Sequence, residues 1–295
     1  MWLAALVALA QASSATPLLD YADGLDFDTP PHEVQYRSEI ERAAHELASH
    51  PPPARDCART LGASRFTQLL ERLAIARSML GDHAGAIDAY EQALGCAPRA
   101  AVLHARLAEE LLDAGRLDEA LATLNRGLAI QHDNYELGTV MGQVEFLKEH
   151  WAGAIGWLRW SVQTATTLAA KDQALYWQCL LWLAQQRSGI AHPQPLEPSP
   201  PEDWPGPILE LLHGAVSEQQ LLAAVQGEPD ALRRREILCE ALFYVGEQRL
   251  ARGEVEQARR YFAATANLKV VYFIEHSMAL AELAKMRAAV SKTSP

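Results

Sequence analysis

Residues 81–93 read Gly-Asp-His-Ala-Gly-Ala-Ile-Asp-Ala-Tyr-Glu-Gln-Ala, and residues 115–127 read Gly-Arg-Leu-Asp-Glu-Ala-Leu-Ala-Thr-Leu-Asn-Arg-Gly. The second stretch begins 34 residues after the first, and both have glycine at the first position and alanine at the sixth. Another step of 34 residues reaches Ala154 and Leu158, which match the alanine and the bulky residue four places later. Small residues at a fixed spacing mark points where two helices approach closely, so this stretch predicts a repeated pair of helices.

A 34-residue period with this pattern is the signature of the tetratricopeptide repeat, or TPR. Three copies follow one another over residues 64–167, and a fourth near the C-terminus has Gly246, Gly253, Ala258 and Phe262 at the corresponding positions. A helix pair cannot bury its apolar stripe alone and therefore stacks on its neighbours. We predict an all-α TPR helical solenoid with an extra N-terminal helix and a C-terminal capping helix.

The third copy matches the pattern least well. Glu149 occupies the turn position where the other copies have glycine. We therefore expect this turn between two helices to be less regular, although the three contiguous copies keep one register without a gap.

Composition excludes two classes of function. The chain has 295 residues and a formal net charge of −11, and its arginines are scattered and do not form a stripe. Nucleic-acid binding needs a basic surface, so we expect no nucleic-acid partner. No run of 18 apolar residues occurs, and we expect no transmembrane segment. The length fits one elongated domain, because a solenoid grows by adding repeats.

Residues 1–15 are an apolar stretch followed by small residues, which predicts a signal peptide and a periplasmic location. The first basic residue is Arg37, so the positive charge usual at the start of a signal is missing. A short apolar helix docked on the end of the solenoid is the alternative. No cysteine follows the apolar stretch, so we expect no lipid anchor; cleavage of the signal and membrane association stay open.

The remaining segments follow from composition and period. Residues 16–31 contain four aspartates and three prolines without a helical period, which predicts a flexible tether. Residues 32–50 have apolar residues near helical spacing and precede three prolines, which predicts a separate amphipathic helix. We expect this helix to dock either on its own stack or on a partner subunit in a homodimer. The predicted divisions are 32–188 for this helix, three TPR units and a following helix, 189–206 for a Pro-rich connector, 207–290 for C-terminal helices with the fourth TPR unit, and 291–295 for a tail.

Four cysteines are too widely spaced for a zinc ribbon or a CxxC redox site. Cys179 and Cys239 fall within helical stretches and fit small buried residues. Cys57 and Cys96 lie near helix ends close to the first repeat, and they form a disulfide only if the compartment is oxidising. The sequence does not decide between a pair and two free thiols.

No pattern of a catalytic motif or a phosphate-binding loop occurs in the chain. Two acid–histidine pairs, Glu275-His276 and His32-Glu33, consist of adjacent residues. Adjacent residues on a helix point about 100° apart, so neither pair binds a metal without other ligands. We predict that the chain is not an enzyme and has no catalytic residue, cofactor or metal site.

Position 1 of the four repeats is residue 67, 101, 135 and 239, respectively. Positions 2, 5, 9 and 12 of each repeat share one face of the first helix, and in TPR arrays that face lines the concave groove. Here they are mainly apolar and acidic, with no Lys or Arg. Such a groove disfavours capture of a peptide's terminal carboxylate. Solvated surface is the alternative for some of these residues, and core packing is the alternative for the two phenylalanines. The candidate protein-binding residues are Glu71, Ile75, Glu109, Gln143, Phe146, Phe243 and Glu247.

The C-terminal third has a more specific similarity. Residues 208–214 (Ile-Leu-Glu-Leu-Leu-His-Gly), 240–247 (Glu-Ala-Leu-Phe-Tyr-Val-Gly-Glu) and 273–283 (Phe-Ile-Glu-His-Ser-Met-Ala-Leu-Ala-Glu-Leu) resemble segments of the bacterial TPR lipoprotein NlpI family. The resemblance covers most of the chain from about residue 32 and is strongest after residue 175.

This resemblance implies a periplasmic, homodimeric, non-catalytic adaptor that links a tail-specific protease to peptidoglycan endopeptidases and so regulates cell-wall turnover. The chain departs from the family in lacking the lipobox cysteine and in having the Pro-rich connector. A TPR assembly subunit of a pilus or secretion system, with one permanent partner, is the alternative. The sequence does not identify the partners.

Overall fold

The computed structural model describes residues 16–25, 27, 30–49, 63–190 and 204–293, and the regular secondary structure within these ranges is helical. The predicted signal peptide and most of the predicted connector lie outside the described residues. The helices are α1 (Pro17–Ala22), α2 (Glu33–Ser49), α3 (Ala63–Ser78), α4 (His83–Cys96), α5 (Ala101–Asp113), α6 (Leu117–Ile130), α7 (Tyr135–Leu147), α8 (Trp151–Thr167), α9 (Lys171–Arg187), α10 (Gly206–His213), α11 (Glu218–Gly227), α12 (Ala231–Ala251), α13 (Val255–Asn267) and α14 (Ile274–Thr293).

The four predicted repeats are the helix pairs α3–α4, α5–α6, α7–α8 and α12–α13, and the two helices of each pair pack closely on each other. The first helix of the second repeat also packs on the first helix of the third. Each pair therefore shares its apolar face with a neighbour, which is how a solenoid builds a continuous core. The prediction of an all-α TPR solenoid is confirmed.

The turn inside each repeat uses a residue with left-handed backbone. Gly81, Gly115 and Gly253 have φ values of 76°, 72° and 78°, and Glu149 in the third repeat has φ 60°. The expectation of a less regular third turn is therefore wrong: glutamate adopts the same conformation that glycine adopts elsewhere. The Glu149 side chain also forms ion pairs with Arg187 and Lys285, at 3.2 and 3.5 Å.

The small residue at position 8 of a repeat lies against the bulky residue at position 24. A Cβ atom added to Gly246 would lie 2.8 Å from the ring of Phe262, and one added to Gly142 would lie 3.0 Å from the side chain of Leu158. Both separations are shorter than ordinary van der Waals contact, so the two helices approach this closely because glycine has no side chain.

The N-terminal segment differs from the predicted tether. Residues 17–22 form α1, whose Leu18 and Leu19 are buried against α11, α12 and α13. The backbone N–H of Leu18 donates to the Glu218 carboxylate over 3.2 Å. The surrounding aspartates suggested a solvated chain, but two adjacent leucines bury enough apolar surface to dock a short helix on the opposite end of the protein.

Helix α2 packs on α3 of its own chain. Arg72 of α3 forms ion pairs with Glu39 and Glu46 of α2, at 2.6 and 3.4 Å. The helix predicted at 32–50 therefore docks on its own stack in this structure.

The last helix, α14, packs on α12 and α13 and also contacts α5 and α7. It therefore caps the final repeat and continues along the concave side of the second and third repeats. Residues 291–293, predicted as part of a tail, belong to this helix. Within the described ranges, none of the helices combines the length and the apolarity that a membrane span requires.

Candidate protein-interaction groove

The concave side of the solenoid is divided by α14 into a covered part and an open part. Four of the seven predicted groove residues are buried: Gln143 is 4% exposed, and Phe146, Phe243 and Glu247 are 0% exposed. The sequence places these residues on the concave face, but the chain's own helices occupy the space in front of them. Phe146, Phe243 and Glu247 are therefore not available to a partner in this structure, whereas Gln143 lines a cavity beside α14.

Phe146 is a core residue. Its ring packs edge-on against Trp151 with the centroids 5.5 Å apart. The Arg187 guanidinium lies 5.8 Å from the Phe146 centroid and 5.0 Å from the Trp151 centroid, within the range of cation–π attraction. Phe146 thus supports an arginine from α9.

Phe243 is also a core residue. Its ring centroid lies 5.2 Å from that of Tyr244 and 6.1 Å from that of Phe262. These contacts join the two helices of the fourth repeat. The alternative interpretation of both phenylalanines as core residues is the one that the structure supports.

Glu247 belongs to a buried ionic network that holds α14 in place. Arg187 donates to Glu247 over 2.9 Å and lies 3.5 Å from Glu282 of α14. Lys285 of α14 in turn lies 2.7 Å from Glu282 and 3.5 Å from Glu149. Burial, reinforced by the neighbouring Glu282 carboxylate, raises the pKa of Glu247 to about 7. The network links α9, α12, α14 and the turn of the third repeat.

The open part of the groove lies on α3 and α5. Ile75 is 49% exposed and Val102 is 45% exposed, and both occupy concave positions of the first two repeats. Glu71 and Glu109 flank them, and burial raises the pKa of each carboxyl group, with an opposing effect of Arg106. Three of the seven predicted residues therefore lie on an accessible surface.

Arg106 is a groove residue that the four repeat positions did not include. It lies 3.2 Å from Glu109 and 3.5 Å from Glu136 of the next repeat, and it also interacts with Glu71 of the preceding one. Arg106 is at position 6 of its repeat, beside the concave face, and its side chain is long enough to reach that face. The open surface is therefore acidic and apolar with one bridging arginine.

A cavity of about 330 Å³ lies where α14 crosses the concave side, between α5, α7, α9 and α12. Glu109 and Tyr272 line both this cavity and the open part of the groove, so the two spaces are contiguous. Aromatic rings form much of the wall: Tyr176, Trp177, Tyr244, Tyr272 and Phe273.

Two buried carboxyl groups also line the cavity. Glu240 accepts hydrogen bonds from the Tyr176 hydroxyl at 3.1 Å and from Trp204 Nε1 at 2.5 Å, and burial raises its pKa to about 8. Burial likewise raises the pKa of Glu275 to about 7. The Oε1 atom of Gln143 is buried without a hydrogen bond in the part of the chain that the structure describes. The cavity offers acceptors and aromatic faces, which suit a cationic or hydrogen-bond-donating side chain.

The structure describes three of the four cysteines. Cys96 is disulfide-bonded, and Cys57, the candidate partner from the sequence, lies outside the described residues. Cys179 and Cys239 are free and fully buried, as expected for small apolar side chains.

Comparison with known proteins supports the repeat assignment. Residues 79–144, which span α4 to α6 and most of α7, match the tetratricopeptide repeat family. The crystal structure of MamA protein aligns with 70% of this chain and 93% of its own chain, at 16% identity and a TM-score of 0.37. The family match falls on the helix pairs whose glycine turns and small crossing residues define the repeat, so the chain contains tetratricopeptide repeats and has the fold of a protein-interaction scaffold.

Proposed function

We propose that this chain is a non-catalytic adaptor that binds a partner protein through the open part of its groove. The observation that carries the proposal is the pair of exposed apolar side chains, Ile75 and Val102, on the concave face of the first two repeats. Ile75 lines the open part of the groove together with Glu109, Glu110 and Asp113, and Glu109 also lines the aromatic cavity, so the surface combines apolar contact area with acceptors for cationic groups.

The resemblance to the NlpI family suggests what the adaptor joins. We propose a tail-specific periplasmic protease and a peptidoglycan endopeptidase as the two partners, with the chain as a homodimer. Two proteins held on one scaffold reach an effective concentration of about the millimolar scale, which makes a weak protease–substrate encounter efficient without new chemistry. The groove would hold one of the two partners.

A periplasmic location fits the proposal. Cys96 is disulfide-bonded, and structural disulfides form in oxidising compartments such as the periplasm. The apolar stretch at residues 1–15 has the composition of an export signal.

Degradation kinetics test the adaptor role. The purified protease and endopeptidase are mixed with and without the chain, and loss of the endopeptidase is followed by gel densitometry. We expect degradation at least tenfold faster with the chain present, and a bell-shaped dependence on its concentration, because excess scaffold separates the two partners.

The same experiment separates the alternative. A TPR assembly subunit with one permanent partner would leave the degradation rate unchanged at every concentration. A rate that rises and then saturates without a decline would indicate activation of the protease alone and would contradict the proposed bridging of two proteins.

A further inference from the structure

Three side chains from two repeats meet beside α14. The ligand atoms of His83, Glu110 and Asp113 all lie within 4.8 Å of one another. His83 is the first residue of α4, where Asp82 caps the helix by accepting from the Gly85 N–H. Glu110 and Asp113 are three residues apart on α5, so they share one face of that helix.

The cluster is crowded and short of positive charge. Glu110 is only 4% exposed, and its ion-pair contact among the described residues is with His83, whose Nδ1 lies 3.1 Å from Glu110 Oε2. The nearby Arg106 pairs with Glu109 and Glu136, which leaves the cluster with two carboxyl groups and one imidazole. Buried carboxylates are costly unless a cation or a hydrogen bond compensates them.

A second observation comes from α14. The Ser277 side chain is 3% exposed and forms a hydrogen bond with Asp113, so it faces the cluster. The neighbouring His276 is 7% exposed and near enough to His83 to be affected by its charge, and its Nδ1 lacks a hydrogen-bond partner among the described residues. Buried polar atoms without a protein partner commonly bind an ordered water molecule or an ion.

We propose that His83, Glu110 and Asp113 bind a divalent transition-metal ion of the Zn²⁺ class, with a water molecule held by Ser277 in the fourth position. Zn²⁺ takes one imidazole nitrogen at about 2.0–2.1 Å and carboxylate oxygens at about 2.0–2.2 Å. Tetrahedral ligands at these distances stand about 3.4 Å apart, and the Nδ1–Oε2 separation of 3.1 Å is close to this value. The Asp113 oxygen lies within 4.8 Å of both other ligand atoms, so the three ligands would draw together around the ion.

The identity of the metal follows from the ligand types. Imidazole nitrogen with carboxylate oxygen suits Zn²⁺ and its transition-metal neighbours, whereas Ca²⁺ and Mg²⁺ prefer all-oxygen sites with six or more ligands. The ion would join the first repeat, the second repeat and α14. It would therefore hold the C-terminal helix in the groove and set how much of the concave face stays covered.

Metal titration tests the site. Tag-free, chelator-treated protein of full length is titrated with Zn²⁺ in isothermal calorimetry, alongside Glu110→Gln and Asp113→Asn. We expect one ion per chain and at least tenfold weaker binding in each variant. The matched control is Glu145→Gln, since Glu145 lies 3.0 Å from His150 in an acid–histidine pair that belongs to no three-ligand cluster within the described residues. Its affinity should equal that of the unmodified chain.

A second measurement does not depend on how well the variants fold. X-ray absorption of the Zn²⁺-loaded, unmodified chain should show one imidazole and a shell of oxygen ligands, and amide exchange in α14 should slow when Zn²⁺ is added. Absence of stoichiometric binding, a sulfur shell, or equal affinity in the Glu110→Gln, Asp113→Asn and Glu145→Gln variants would overturn the proposal.

Discussion

The guanidinium of Arg187 donates a hydrogen bond over 2.9 Å to Glu247, a carboxylate with no exposed surface. This bond joins α9 to α12 beneath the C-terminal helix. It explains why a residue at a groove position of the fourth repeat serves the fold: the acidic side chain holds the arginine that α14 then engages through Glu282.

Removal of Arg187 should therefore be costly. Arg187→Met leaves Glu247 buried without its cation and leaves Glu282 with Lys285 alone, and breaking a buried pair in this way costs about 3–5 kcal/mol of unfolding free energy. Urea unfolding at pH 8, followed by circular dichroism, measures the loss. Arg116→Met is the control, because Arg116 pairs with Glu119 at the surface and should give no measurable change. Equal stability of the two variants would contradict the role of the network.

Stability should fall as pH rises from about 5 to about 8. Burial raises the pKa of Glu240 to about 8 and that of Glu247 to about 7 from the ordinary value of 4.5, so the folded chain binds these protons more tightly than the unfolded chain. The resulting stabilisation is fully present below about pH 4.5 and is lost as the pH passes the raised values.

Urea unfolding across this pH range at constant ionic strength shows whether the free energy of unfolding falls as the pH rises. Glu240→Gln should reduce the slope, because glutamine does not titrate. Glu119→Gln should leave it unchanged, since Arg116 holds the pKa of the exposed Glu119 below its ordinary value and outside the range. A stability that increases with pH between about 5 and 8 would be the opposite of the expected result.

Replacing two helical glycines by alanine should change the stability of the protein in opposite directions. Gly246→Ala places a Cβ atom 2.8 Å from Phe262, and overpacking of this kind costs about 1–3 kcal/mol. Gly156 lies inside α8 with no atom within 4 Å of an added Cβ, so Gly156→Ala should stabilise by about 1 kcal/mol through helix propensity. Thermal unfolding of both variants measures the effects. A stabilised Gly246→Ala variant would show that the helix crossing tolerates a methyl group.

The repeated part of the fold could be predicted from the sequence because its determinants are local. The 34-residue spacing of Gly81 and Gly115 fixes the turns, and the small residues fix the helix crossings. Glu149 shows the limit of this rule: the residue type suggested an irregular turn, but the turn between the two packed helices has the same left-handed backbone as the glycine turns.

Features that depend on distant contacts could not be predicted in this way. The position of α14 along the groove depends on partners more than 90 residues away in sequence, such as Arg187 for Glu282. Leu18 and Leu19 dock on helices near the other end of the chain. The His83 cluster likewise combines two helices, whereas the sequence pattern drew attention only to acid–histidine pairs that are adjacent.

Binding of two matched variants to each proposed partner shows whether a partner protein binds the open part of the groove. Val102→Arg places a charge on the concave face, and Val255→Arg places the same charge on α13, a second helix of a repeat, at nearly equal exposure, 45% against 46%. In biolayer interferometry with the tail-specific protease and, separately, the endopeptidase immobilised, we expect Val102→Arg to weaken binding to one of the two at least tenfold, about 1.4 kcal/mol, and Val255→Arg to bind both as the unmodified chain does. Unchanged affinity of a folded Val102→Arg variant for both proteins would contradict binding of a partner in the groove.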